Sequence, residues 1–214
     1  QYGVNQKKKL CYHPFLFHFL PKELYDSDKT RIVKSVHAIL SLPFIIKNFQ
    51  IKPVIVIRHP AAVISSYLKM NNMDMDRQVY KNPRLQHDFL KAFLNNIYPL
   101  NSELEFAGAQ IAIFYHIIEQ FQKIHPSLIT IKYEDLCIDF VDKFKTLYKK
   151  LNLEWDEAVE NFLIHHNKKG EGYNIHRIAE EQIDIWKKRL NQDQIARIQQ
   201  GYSSVPVTYY EDFR

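Results

Sequence analysis

The sequence predicts an α/β fold with a central parallel sheet flanked by helices, many of them in the C-terminal half. Three observations predict it. Val54 to Ile57 is a continuous β-branched run, the pattern of a strand buried on both faces. Residues 128–133, Leu-Ile-Thr-Ile-Lys-Tyr, read as another strand. Segments of helical periodicity separate the runs, and strands joined through a helix are expected to lie parallel.

In chain order, residues 1–28 are aromatic and irregular, interrupted by Pro14 and Pro21. A first strand is expected over 31–36, followed by an apolar helix over 38–49 with Pro43 near its start. The Val54 strand comes next, with Arg58 and His59 at its carboxyl end. Pro60 suits the first turn of the helix that continues to Lys69. Residues 76–99 read as one or two helices with a loop at Asn82-Pro83. Ser102 and Glu105 spell a capping box that introduces a long apolar helix through about residue 124. After the 128–133 strand, Asp139 is expected to cap a helix over 140–151, in which Phe140, Phe144, Leu147 and Leu151 keep helical spacing. Asn152 suits the left-handed position behind it, and Asp156 caps another helix over 157–165. Gly170 and Gly172 mark a loop over 167–174. Helices resume over 177–189 and 192–200, with Gly201 as terminator. With no repeat or low-complexity linker, one domain over 1–214 is expected.

A chain of 214 residues can bury a sizeable core, and its apolar and charged fractions are those of a soluble globular protein. The net charge of +5 and a pI near 9.0 suit an anionic ligand. Basic residues are interleaved with acids outside Lys7-Lys8-Lys9, so no nucleic-acid partner is expected. Cys11 and Cys137 lie far apart without metal-ligand spacing; they argue against a disulfide scaffold and suit a reducing, cytoplasmic setting. No apolar run approaches the ~20 residues needed to span a bilayer, and no signal-peptide pattern opens the chain. His165 and His166 are adjacent on a helix and do not share a face, so no metal site is expected there.

The chemistry-bearing residues gather at strand ends. A strand, a sharp turn and a helix start offer free N–H groups and the helix dipole to an anion. Arg58 adds a planar fork suited to phosphate oxygens, and Ser66 carries a hydroxyl two turns into the helix. On these residues alone, Arg58 serves equally well as a phosphate ligand or as an arginine capping the sheet edge. Lys34 and His37 fall at the carboxyl end of the first expected strand, where α/β sheets bind ligands; a capping or packed histidine reads the same way. Tyr133 offers an aromatic body with a polar tip, which suits a nucleobase. Glu134 and Asp135 point apart and read as structural caps. Lys168-Lys169-Gly170 reads as a solvated loop.

Arg58-x-Pro60-x-x-Val63-x-x-Ser66, directly after a strand, resembles the 3′-phosphate-binding segment of sulfotransferases that use 3′-phosphoadenosine 5′-phosphosulfate (PAPS). Lys132-Tyr133-Glu134-Asp135-Leu136 is similar to the family's Tyr-Glu-Asp-Leu segment, and Lys168-Lys169-Gly170 to its Arg-Lys-Gly segment. Trp186, Leu190 and Ile195 resemble its carboxyl-terminal pattern. The resemblance spans residues 31–210. It implies a P-loop-NTPase-like sheet and transfer of a sulfuryl group from PAPS to a hydroxyl or amine of a small-molecule or glycan acceptor, leaving 3′-phosphoadenosine 5′-phosphate. Arg58 and Ser66 would hold the 3′-phosphate, Tyr133 the adenine, and Lys168, Lys169 and Gly170 the 3′-phosphate from a second side. His37 would be the catalytic base and Lys34 would approach the phosphosulfate, although one more residue separates them than in the family's Lys-Thr-His. A positioned base contributes ~10²–10⁴ in rate, and fixed cations can stabilise the leaving charge without a metal.

One departure stands out. The family cradles the 5′-phosphosulfate in a glycine- and Ser/Thr-rich loop, yet Gly3 is the only glycine before Arg31. The resemblance therefore implies a chain lacking its N-terminal strand–loop–helix unit. Two rival readings remain. A nucleoside or small-molecule kinase shares the sheet but needs a Gly-x-x-x-x-Gly-Lys-Ser/Thr loop and a magnesium carboxylate, and neither is evident. A non-catalytic nucleotide-binding relic needs neither.

Overall fold

The structure, a computed structural model, describes residues 32–36, 38–70, 82–170, 178–211 and 213. The chain divides into two units, Gln1–Ala38 and Ile39–Arg214. Of the first, only 32–36 and 38 are described. They form no strand, contrary to the expectation over 31–36: Ile32, Val33 and Val36 are exposed. β-propensity acts by packing side chains on a half-buried pleat, and the described residues offer these three none.

The second unit is mixed α/β and mostly helical. A 3-10 turn, Ile39–Ser41, leads into α1 (Leu42–Asn48), with Pro43 in its first turn. Strand β1 is Val54–Ile57 and α2 is Pro60–Lys69. Asn82 caps the short α3 (Pro83–Leu85), which runs into a π-turn, Gln86–Leu90, before α4 (Leu94–Ile97). Helix α5, Glu103–Ile124, opens on the expected capping box: Glu105 N donates to Ser102 Oγ at 3.1 Å and Ser102 N to Glu105 Oε2 at 3.4 Å, with Asn101 N adding a 2.9 Å bond to the same oxygen.

Strand β2, Ile129–Lys132, pairs with β1 in parallel, Val54 opposite Ile129 and Ile57 opposite Lys132. Among the described residues the sheet has these two strands only. The expectation that β1 is buried on both faces is corrected. Ile57 is 1% exposed and Ile55 packs on the core, whereas Val56 is 52% exposed. Alternate residues face opposite ways on a strand, and one face of β1 is covered much more fully than the other.

Beyond β2 come α6 (Tyr133–Cys137), α7 (Phe140–Leu151), α8 (Glu157–His166), a 3-10 turn Glu180–Gln182, α9 (Ile185–Arg189) and α10 (Gln192–Tyr202). Asp156 caps α8 through a 2.8 Å bond from Val159 N. Asp139 does not cap α7 through its side chain; it sits at φ 50° and turns the chain instead. Asn152 takes the left-handed position expected of it, at φ 57°.

Gly201 is no terminator. It lies inside α10, where a Cβ would stand 1.7 Å from Glu105 O; a Cβ on Gly108 of α5 would stand 2.2 Å from Ile198 O. These two glycines let the backbones of α5 and α10 meet. Ile113, Ile117 and Ile118 of α5, Ile198 and Tyr202 of α10, and Val205 are all buried in the hydrophobic core.

Candidate functional site at the sheet tip

The parallel register carries two motif residues to one place. Ile57 pairs with Lys132, so Arg58 and Tyr133 leave the sheet side by side. The Arg58 guanidinium stands over the Tyr133 ring, Cζ 4.4 Å from the centroid. Its Nη2 donates to Gln182 O at 3.0 Å, and its buried Nε has no hydrogen-bond partner among the described residues. Burial pushes the Tyr133 phenol up to about 12, so it stays a neutral donor at neutral pH.

The backbone at this tip is held by two side chains, Tyr115 and Glu134. The Arg58 amide donates to Tyr115 Oη at 2.9 Å, and the Tyr115 hydroxyl donates to the Arg58 carbonyl. The His59 amide donates to Glu134 Oε1 at 2.9 Å, while Tyr210 Oη donates to Glu134 Oε2. The His59 ring is 4% exposed, stacks on Trp186 at 4.5 Å, and meets the edges of Tyr210 and Phe213. Burial lowers its pKa from 6.5 to about 4, against the opposing pull of Glu134. The Phe213 backbone also favours the protonated ring, yet no hydrogen bond of ordinary geometry forms at either ring nitrogen among the described residues. The imidazole is neutral at neutral pH and packs as an aromatic side chain. Trp186 is buried in the core.

The start of α2 was expected to be an open anion site. Much of it is already used. Pro60 brings no N–H, the Ala62 and Val63 amides turn back on the His59 carbonyl, and Glu134 takes the His59 amide. Glu134 is thus the anion at this helix start.

The other expected residues lie as follows. Ser66 is half-buried on α2, about 9 Å of helix rise beyond Pro60; its hydroxyl makes no hydrogen bond among the described residues. Lys168 and Lys169 are exposed and Gly170 half-buried, with Lys168 Nζ 3.3 Å from His165 Nε2. Hydrogen bonds tie this loop toward the tip: Ala179 N to Asn167 Oδ1 at 2.7 Å, Gln182 N to Ala179 O at 2.9 Å, then Arg58 to Gln182 O. Lys34 is exposed in the first unit, and His37 lies outside the described residues, as does Cys11. Cys137 is a buried free thiol whose pKa is raised by burial. No group of three or more metal-ligating side chains occurs among the described residues, and none of their helices is long and apolar enough to cross a membrane.

A cavity of about 650 Å³ opens beside the tip. His59 and Trp186 line it, whereas Arg58, Ser66 and Tyr133 do not. Its carboxylates, Glu134, Asp135, Asp184 and Glu211, outnumber Lys132 and Lys187. That balance disfavours a polyphosphate in the cavity itself. On the Arg58 side of the tip the half-buried guanidinium lies over the Tyr133 ring. The described residues provide no comparable cradle for a phosphosulfate.

Residue type alone did not reveal Tyr115 or the Gln182 carbonyl. A tyrosine inside an apolar helix looks like packing, and a backbone oxygen carries no sequence signal. Glu134 was readable as a cap, but its partners were not. No protein-family model matches this chain, and comparisons with curated proteins and with solved structures found no match.

Proposed function

We propose that this chain is a PAPS-dependent sulfotransferase domain on a P-loop-NTPase-like sheet, acting on a hydroxyl or amine of a small-molecule or glycan acceptor. One observation carries the reading. Arg58 and Tyr133, which the resemblance assigns separately to the 3′-phosphate and the adenine, come from strands far apart in sequence and touch at the sheet tip. PAPS would supply the activated sulfuryl group. Arg58 would offer its half-buried guanidinium to a 3′-phosphate oxygen, a charge-assisted bond with geometric specificity. Tyr133 would stack the base, and the Lys168–Lys169 loop, tied to Arg58 through Gln182, would add charge from the side. In this proposal Ser66 completes the phosphate contacts, His37 removes the acceptor proton and Lys34 stabilises the departing charge.

A second reading is favoured by the closed start of α2 and the carboxylate-rich cavity: a relic that binds the nucleotide and transfers nothing. Calorimetric titration with adenosine 3′,5′-bisphosphate tests both. Saturable binding is expected, with the dissociation constant raised at least about tenfold in Arg58→Ala, the cost of one charged hydrogen-bonding partner. An unchanged constant would remove the assignment. Binding of the bisphosphate without turnover of labelled PAPS across acceptor classes would select the relic, and magnesium-dependent ATP binding would select a kinase.

A further inference from the structure

We infer that Tyr115 is a positioning residue for the Arg58 site and sets its preference for a 3′-phosphate; this rests on the nucleotide reading above. Tyr115 sits in the buried length of α5, and its single hydroxyl serves both backbone groups of Arg58, accepting from the amide and donating to the carbonyl. That double contact does for Arg58 what a neighbouring strand does for an interior residue: it fixes the peptide planes on either side of Cα. A fixed Cα directs the side chain. Arg58 leaves this anchored backbone, passes over Tyr133 and reaches Gln182 O, so the direction of its guanidinium depends on the anchor.

The hydroxyl is itself held rigidly. The Tyr115 ring is 7% exposed and meets the rings of Tyr202, Tyr209 and Tyr210. Burial raises its pKa, so it remains a neutral group able to donate and accept at once. Phenylalanine would keep the ring contacts and lose both bonds. The Arg58 backbone could then turn, and the guanidinium would lose its aim while keeping its charge. An aiming role and a purely structural role differ in what they change. Loss of aim weakens a ligand carrying a 3′-phosphate and spares one without it, whereas general loosening weakens both.

The experiment is a binding cycle on the full chain with two probes, adenosine 3′,5′-bisphosphate and adenosine 5′-monophosphate, in wild type, Tyr115→Phe, Arg58→Ala and the double variant. Tyr115→Phe is expected to weaken the bisphosphate about fivefold, the scale of one hydrogen bond, and to leave the monophosphate unchanged. In the Arg58→Ala background it should change neither, because interacting residues are non-additive. If Arg58→Ala alone has no effect on bisphosphate binding, the nucleotide reading fails and the role of Tyr115 with it. If Arg58→Ala weakens the bisphosphate but Tyr115→Phe does not, or acts equally on both probes, or adds in full to Arg58→Ala, only the positioning role is overturned. Should Tyr115→Phe fail to fold by circular dichroism, site-specific 3,5-difluorotyrosine at 115 keeps the shape and weakens the acceptor. It must then shift bisphosphate binding selectively, or the inference falls.

Discussion

Two helix starts in this molecule are satisfied in opposite ways. At α5 the partners are neighbours: Ser102 and Glu105 close the box within one turn. At α2 the helix-start residue is His59, whose amide is taken by Glu134, 75 positions along the chain, with Tyr210 on the other carboxylate oxygen. The first arrangement assembles with the helix itself. The second exists only once β1 and β2 have paired and the C-terminal segment has folded over them. Tyr210 and Phe213, at φ 55° and 49°, occupy the left-handed region that aromatic residues rarely adopt, and both rings pack on His59. A local cap is a modest, separable contribution. A long-range one concentrates the consequences of the tertiary fold at a single point.

That contrast can be broken most violently where α5 meets α10. Gly201→Ala places a methyl against the Glu105 carbonyl, backbone that cannot step aside. The expected loss is about 3 kcal/mol or more, the upper end of overpacking, read as a fall in urea midpoint; an unchanged midpoint would mean that the two helices do not approach as described.

The next effect sharpens the contrast through pH. Burial makes the folded chain bind the His59 proton less readily than the unfolded chain, so the stability tied to the neutral ring is complete above the ordinary value of 6.5. It is lost as pH falls through the interval down to about 4. A displacement of that size corresponds to about 3 kcal/mol. His59→Phe should keep the stack on Trp186 and remove this part of the pH dependence between pH 7 and pH 4; equal slopes in the two proteins would refute it.

Smaller losses compare the two starts directly. Glu134→Ala orphans the His59 amide and the Tyr210 hydroxyl together, an expected cost of about 2 kcal/mol. Ser102→Ala removes one local cap for about 1 kcal/mol. Reversal of that order in denaturant titrations would show that the long-range carboxylate adds nothing to the tip.

Much of the local architecture was legible beforehand. The limits of β1, the capping box of α5, Asp156 and the left-handed Asn152 depend on residues within a few positions of one another, where steric and hydrogen-bonding preferences act unaided. Legibility fails where the partner is distant. Gly201 reads as a helix end because glycine is common there, but its actual use is to admit Glu105. Asp139 reads as a cap and instead turns the chain. The expected strand at 31–36 has β-branched residues, but Ile32, Val33 and Val36 are exposed and find no pleat among the described residues.

At the site the division is sharper. Sequence alone determined that Arg58 and Tyr133 end two β-runs, that Pro60 starts a helix, and that Glu134 follows Tyr133. Only the tertiary structure decided that Arg58 lies on Tyr133, that Tyr115 holds its backbone, and that Glu134 occupies the helix start a phosphate was expected to use. The physical reason is range. Backbone preference acts over a few residues, whereas these contacts depend on the parallel register of two strands and on where a buried helix directs one hydroxyl.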